Sequence, residues 1–124
     1  MAAPNIAQLG TVTGKTATVA LSTTSATAVV NNAASSGKCF RVVSLYVSNV
    51  DGTSAADISI NVYSQDDIGG TAYALCSTVS VPADASLIVI TKETPIYLEE
   101  DKSIGATAGT ANDLVVVAAY EEIS

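Results

Sequence analysis

Residues 57–63 of this chain read DISINVY, and their alternation decides the fold class. A period of two gives a strand one buried face and one solvated face, whereas a helix would repeat about every 3.6 residues. The segment therefore predicts a β-strand. Its predicted core side is Ile58, Ile60 and Val62, and its predicted solvent side is Asp57, Ser59, Asn61 and Tyr63.

The preceding segment, residues 40–50, reads FRVVSLYVSNV and puts Val43, Leu45 and Val47 on one side. The Asp51-Gly52 pair that follows has turn chemistry, so the two segments are predicted to form a hairpin with a long loop. A second turn, QDDIGG, is predicted to separate DISINVY from the next strand, TAYALCSTVSV.

Two later segments are apolar on both faces. LIVIT at 87–91 and LVVVAAY at 114–120 lack the alternation of a half-exposed strand, which predicts a central position in a sheet. Between them lie two short segments, TPIYLEE and DKSIGATA, and the N-terminal third adds GKTATVAL and ATAVVNN, which are rich in Thr and Ala.

About eight or nine short strands at spacings of roughly 8–12 residues indicate an all-β sandwich or barrel, and we predict an antiparallel β-sandwich of jelly-roll type. No segment has convincing helical periodicity. Residues 1–10 contain Pro4 and no pattern, so we predict an extended arm at 1–10 and a single sandwich domain at 11–124. The predicted core is Val43, Leu45, Val47, Ile58, Ile60, Val62, Leu75, Val89, Ile90, Leu114 and Val116.

The charge of the chain argues against nucleic acid and membrane partners. Its 124 residues carry a net charge of −7. The five basic residues form no cluster in the sequence, although duplex binding needs several phosphate contacts. No basic amphipathic helix, long apolar run or secretory signal is present, so we expect synthesis in a cytoplasm. The basic residues are Lys15, Lys38, Arg41, Lys92 and Lys102.

Catalytic, cofactor and metal sites are not predicted. Histidine is absent, which removes the usual base of a hydrolase triad and a common zinc ligand. The acids fall in turns or at a strand end, where solvated charge that discourages indiscriminate strand pairing is the expected role. These acids are Asp66, Asp67, Glu99, Glu100, Asp101, Glu121 and Glu122. Cys39 and Cys76 are predicted to be free thiols, with a disulfide as the alternative.

The composition favours assembly with other chains. Charged residues make up 14% of the sequence, against about 25% in ordinary globular chains. Strand faces such as Ala72, Ala74, Cys76 and Thr78 are poor solvent faces and good packing faces. We therefore expect a homo-oligomer, specifically a trimer, at least when the chain is bound in its assembly. The alternative is a compact β domain of small residues that is simply sparse in charge.

Two quoted regions carry a family resemblance. They are FRVVSLYVSNVDGTSAADISINVYS and STVSVPADASLIVITKETPIYLEEDKSIGATAGTANDLVVVAAYEEIS, which lie within residues 40–124. In its "VPA–apolar–PIYLEE" segment and its closing "apolar-x-x-Y-E-E-I" segment, the chain resembles small virion structural proteins of tailed bacteriophages. The N-terminal third matches no pattern of this kind.

The resemblance implies a β-sandwich subunit of a phage particle without enzymatic activity. Small size, acidity and the predicted arm favour a capsid decoration (cement) protein that contacts the major capsid protein. A neck, tail or host-recognition component is the alternative within a virion, and a carbohydrate-binding module is the alternative outside it. Ile6 and Leu9 are the large apolar side chains with which the arm would contact a neighbouring subunit.

Overall fold

A computed structural model describes residues 10–124, and in this range the chain forms nine strands. Pro4, Ile6 and Leu9 lie outside the described residues, so the predicted arm and its contacts stay predictions. The strands are β1 Val12–Leu21, β2 Thr27–Asn32, β3 Cys39–Asn49, β4 Ala56–Gln65, β5 Gly69–Val81, β6 Ser86–Ile90, β7 Ile96–Leu98, β8 Lys102–Ala108 and β9 Leu114–Ile123.

The strands make two antiparallel sheets that pack face to face. The first sheet has the order β1-β9-β3-β6, with the short β7 also paired to β3, and the second has the order β2-β8-β4-β5. The chain crosses between the sheets at β1–β2, β2–β3, β3–β4, β5–β6, β7–β8 and β8–β9, and the resulting strand order is that of a jelly roll. The predicted all-β sandwich is confirmed.

Strand β9 is the centre of the first sheet. It pairs with β1 over the whole of Val12–Leu21 and with β3 over Cys39–Asn49. Its inward side chains Leu114, Val116 and Ala118 are buried, as are Ile58 and Ile60 of the facing sheet. The prediction of a central strand at LVVVAAY is therefore confirmed.

The predicted core is correct at seven positions of eleven and is displaced at the others. A register shift between Val42 and Ser44 marks a bulge in β3, which turns Val42 into the core and leaves Val43 half-buried. Sequence alternation cannot show an inserted residue of this kind. The other three displaced residues, Val62, Leu75 and Val89, are partly buried and pack against the core.

Three predictions about strand pairing and exposure are wrong. The segments around Asp51-Gly52 do not form a hairpin, because β3 lies in the first sheet and β4 in the second. LIVIT is not central, because β6 lies at the edge of the first sheet. Tyr63 is buried rather than solvated, because the turn between β4 and β5 folds back over it.

Buried asparagine side chains hold the crossovers together. The Asn32 amide Nδ2 donates to the carbonyl oxygens of Lys38 and Leu98, both at 2.9 Å, and Asn32 Oδ1 accepts from the Ser36 hydroxyl. At the other end of the sandwich, Asn49 Nδ2 donates to the carbonyls of Ser54 and Val81 at 2.9 Å. Each amide satisfies one loop carbonyl and one carbonyl at the end of a strand.

Candidate functional site: the outer face of the first sheet

One face of the first sheet is turned away from the sandwich core, and we call it the outer face. It consists of the residues that alternate with the core positions, and paired residues on adjacent strands share the face. One row across it is Thr18, Val117, Tyr46 and Ile88, since these residues pair in register. The next rows are Ala20–Val115–Ser48–Ser86 and Thr16–Ala119–Ser44.

The outer face is uncharged over most of its area. Its rows are small, hydroxylated or apolar, and Ile88 is 66% exposed and Tyr46 37% exposed. Among the described residues, charge enters this set of rows at one end, where Arg41 Nη1 lies 3.0 Å from Glu121 Oε1. An exposed, uncharged and partly apolar sheet face is the kind of surface that protein partners cover.

A groove of about 550 Å³ opens on this face between β3 and the C-terminal end of β6. Its apolar lining includes Val43, Tyr46, Ile88 and Ile90, and the bulge in β3 is what brings Val43 to it. The charged groups Arg41, Lys92 and Glu121 stand at its rim. The groove is large enough to hold an apolar side chain of a partner. The polar and charged groups at its rim can then bond to polar groups beside that side chain.

Two of the basic residues that are scattered in the sequence, Lys15 and Lys38, come together in the fold. Lys15 Nζ lies 2.7 Å from Glu122 Oε2, and Lys38 Nζ lies 3.2 Å from Glu122 Oε1. Glu122 is 8% exposed, so the expectation of a solvated acid is wrong at this position. The hydrogen bond from Lys15 is the main cause that lowers the pKa of Glu122, against the opposing effect of burial.

The acidic turns are structural as well as solvated. Asp67 and Glu99 are exposed as expected, whereas the Asp66 carboxylate accepts a hydrogen bond from the Ala34 amide at 3.2 Å. Glu100 accepts one from the Gly37 amide at 2.8 Å, which is the main cause that lowers its pKa. These carboxylates stabilise loop backbone, and this use of them was not foreseen from the sequence.

The turn between β4 and β5 is held down on the second sheet. The Ile68 amide donates to Ser103 Oγ at 2.9 Å, and Ser103 donates to the Gln65 carbonyl at 2.8 Å. Beneath the turn lies Gly105, where a Cβ would stand 2.7 Å from Ile68 Cγ2 and 2.9 Å from Tyr63 Cε2. Glycine is therefore needed there for close approach.

The two cysteines are free thiols in the described structure. Cys39 is buried and Cys76 is half-buried. Burial raises the pKa of both thiols, and at Cys39 the negative charge of Glu99 raises it further. Within residues 10–124 no group of three or more Cys, Asp or Glu side chains is placed to hold a metal ion. No helix in the described range could span a membrane.

No protein-family model and no curated protein sequence matches the chain. Among solved structures, it is similar to a subunit of Bacillus endospore appendages, a family of disulfide-linked pili, with a TM-score of 0.52 and 13% identity over 92% of this chain and 88% of that one. At this identity the similarity concerns the fold alone.

Chains of two phage capsids are also structural neighbours. The capsid of Ralstonia phage GP4 gives a TM-score of 0.42 at 14% identity, over 98% of this chain and 90% of that one. The cyanophage Pam1 capsid gives 0.37 at 19% identity, over 99% and 91%. With TM-scores this low, neither similarity carries an argument about this chain.

Proposed function

We propose that this chain is a non-enzymatic structural protein of a bacteriophage particle, where it decorates the head and binds the major capsid protein. The outer face of the first sheet carries the proposal. A domain that works alone in water is normally covered by interspersed charges. This face instead presents Thr, Ser, Ala and Val rows with Ile88 and Tyr46 exposed, and a single ion pair at one end.

The location in a virion is supported by the resemblance of residues 40–124 to virion structural proteins. The location on the outside of the head is supported by charge, because a chain of net charge −7 is repelled by packaged nucleic acid. The protein would be made in the host cytoplasm and join the particle there. Partners would be further copies of the chain and the major capsid protein.

A decoration protein of this kind acts by mass action. A chain that binds the assembled shell but not its free subunits lowers the free energy of the shell by RT ln(1 + [L]/Kd) for each site. At a free concentration one hundred times Kd the gain is about 2.7 kcal/mol per site, and it is repeated over the many sites of a lattice. The proposed function therefore needs no reactive group.

The chemistry of the described residues fits a non-enzymatic role. Histidine is absent from the sequence, and the half-buried carboxylates of Asp66 and Glu100 accept hydrogen bonds from loop amides. Glu121 and Glu122 are paired with cations. These acids are therefore already engaged in holding the fold.

A carbohydrate-binding module is the second candidate, and one observation favours it. Tyr46 and Tyr97 are both exposed on the outer face. Tyr46 of β3 pairs with Val117 of β9, and Tyr97 of β7 pairs with Arg41 of β3. Exposed tyrosines can serve as platforms for sugar rings. A glycan array decides this candidate: binding that is lost on Tyr46→Ala would favour it over the structural role.

The proposal is tested on purified particles of the phage that encodes the chain. Mass spectrometry should find the protein in the virions, and gold-labelled antibody should place it on heads in electron micrographs. Label on the neck or tail would overturn decoration while leaving a virion role. Absence from particles would overturn both. Heads that lack the protein should lose their contents at a lower temperature than complete heads.

The expected trimer belongs to the same proposal. The trimer is expected on the particle, so its subunit number is measured from the position of the protein in the particle as well as by sedimentation velocity of the free protein. A monomer that meets no copy of itself, either free or on the particle, would contradict the homo-oligomer.

A further inference from the structure

The hydrophobic pattern of β6 does not match its exposed position at the edge of the first sheet. Its five residues, SLIVI, are apolar on both faces, a pattern typical of a strand that is covered on both faces. In the fold β6 has β3 on one side and lies at the edge of the first sheet on the other. Ile88 is 66% exposed, and Leu87 and Val89 are half-buried.

Two other sheet edges in the described chain, β5 and β1, are better protected against pairing. β5 has three register shifts against β4, and one of them places Thr78 at a φ of 52°. Such bulges twist an edge away from a flat partner. β1 carries Lys15 in its middle. β6, like β2 at the edge of the second sheet, has one register shift, no charge and no proline, so its outward backbone groups are less guarded than those of β1 and β5.

The ends of β6 carry opposite charges. Asp84 precedes the strand by two residues, and Lys92 follows it by two. Both side chains are exposed, and within residues 10–124 neither is within ion-pair distance of an opposite charge. They are equally distant in sequence from Ile88, which is the middle residue of the strand.

We propose that β6 pairs with β6 of a second copy of this chain, antiparallel about a two-fold axis near Ile88. In an antiparallel self-pair the start of one strand meets the end of the other, and a two-fold interface repeats every contact. The turn that holds Asp84 in each copy then lies beside the turn that holds Lys92 in its partner, and the two Ile88 side chains meet at the axis. Glu93 shares the turn of Lys92, so Lys92 is the residue of that turn that attracts Asp84.

The pairing would join two first sheets into one and extend the outer face across both copies. A strand of five residues makes a small interface, so the association is expected to be weak, with a Kd of roughly 10–100 μM, as for other interfaces at the small end of the range. This inference rests on the described contacts and not on the proposed function. It can fail while the virion role stands, and the reverse also holds.

Sedimentation velocity from about 5 to 500 μM, at low salt, tests the pairing. The unaltered chain should form dimers. Ile88→Asp should abolish them, because it places two carboxylates at the axis. The matched control is Tyr73→Asp, which adds the same charge at an exposed residue of β5 and should leave the dimer intact.

Charge exchange identifies the contact itself. Lys92→Glu alone and Asp84→Lys alone should each raise the dimer Kd by about tenfold, since two attractive pairs become repulsive. The double variant restores attraction and should return the Kd to within about threefold of the original. Because Asp84 has a φ of 58°, which is less favourable for lysine, the melting temperature of each variant is measured alongside.

Three results would overturn the pairing. One is a chain that stays monomeric over the whole concentration range. Another is a dimer or trimer that persists in Ile88→Asp, which would place the contact elsewhere. The third is a double variant as weak as the single ones, because Asp84 and Lys92 would then not meet across the axis.

Discussion

Replacing Asn32 by alanine should destabilise the fold by about 2–4 kcal/mol. The side chain is fully buried and makes three hydrogen bonds, two as donor to the Lys38 and Leu98 carbonyls and one as acceptor from Ser36. Each bond contributes roughly 0.5–1.5 kcal/mol, and a buried carbonyl left without its donor costs a further share of its desolvation.

For a chain of this length, 1 kcal/mol corresponds to about 4 °C in melting temperature, so a fall of roughly 8–15 °C is expected. Asn32→Asp should be at least as harmful, because it sets a carboxylate against two carbonyl oxygens. Differential scanning calorimetry and urea unfolding give both quantities.

The adjacent residue supplies the control. Asn31 also bonds across the structure, to the side chain and amide of Asp67, but these bonds are exposed. Water can replace them, so Asn31→Ala should cost no more than about 1 kcal/mol. Equal losses for Asn31→Ala and Asn32→Ala would refute the argument from burial, and so would a loss below about 1 kcal/mol for Asn32→Ala.

Three further predictions follow from particular contacts. Gly105→Ala should cost about 1–3 kcal/mol in urea unfolding, since its Cβ would crowd Ile68 and Tyr63, whereas Gly14→Ala, with open space around its Cβ, should not destabilise. The pKa of Glu122 is lower in the folded chain than its ordinary value of 4.5, so the stability that it contributes is present above pH 4.5 and is lost as pH falls through the folded value. In Glu122→Gln the urea midpoint should therefore fall less steeply with decreasing pH in this acid range, and an unchanged pH dependence would contradict this. Cys39 should react slowly with a thiol reagent at pH 7 in the folded chain and quickly after unfolding, and equal rates would contradict its burial.

The fold class could be predicted from the sequence because burial repeats with the period of the strand. DISINVY identified Ile58 and Ile60 correctly, and LVVVAAY identified the central strand. The same reasoning failed where a β-bulge interrupts the alternation of buried and exposed residues. Because of the bulge in β3, Val42 and not Val43 lies in the core, and no residue type in this segment indicates a bulge.

The candidate sites are formed by contacts between residues that are far apart in the sequence. Lys15 and Lys38 converge on Glu122 because β1 and β9 are adjacent and the β2–β3 connection passes over the same end. A search for clusters along the chain cannot find them. Tyr63 was placed in solvent because alternation takes no account of a turn that folds back over the sheet.

The error at β6 has a different character from these failures. The argument from apolarity on both faces was correct for β9, which has strands on either side, and wrong for β6, which has one. A hydrophobic pattern reports the surroundings in which a sequence is stable, and for a chain that assembles those surroundings include its partners. If β6 pairs across a two-fold axis, its pattern is that of a central strand in a sheet that one chain cannot complete. Loss of the dimer in Ile88→Asp, with no fall in melting temperature, would then show that the prediction was correct for the assembly and wrong for the isolated subunit.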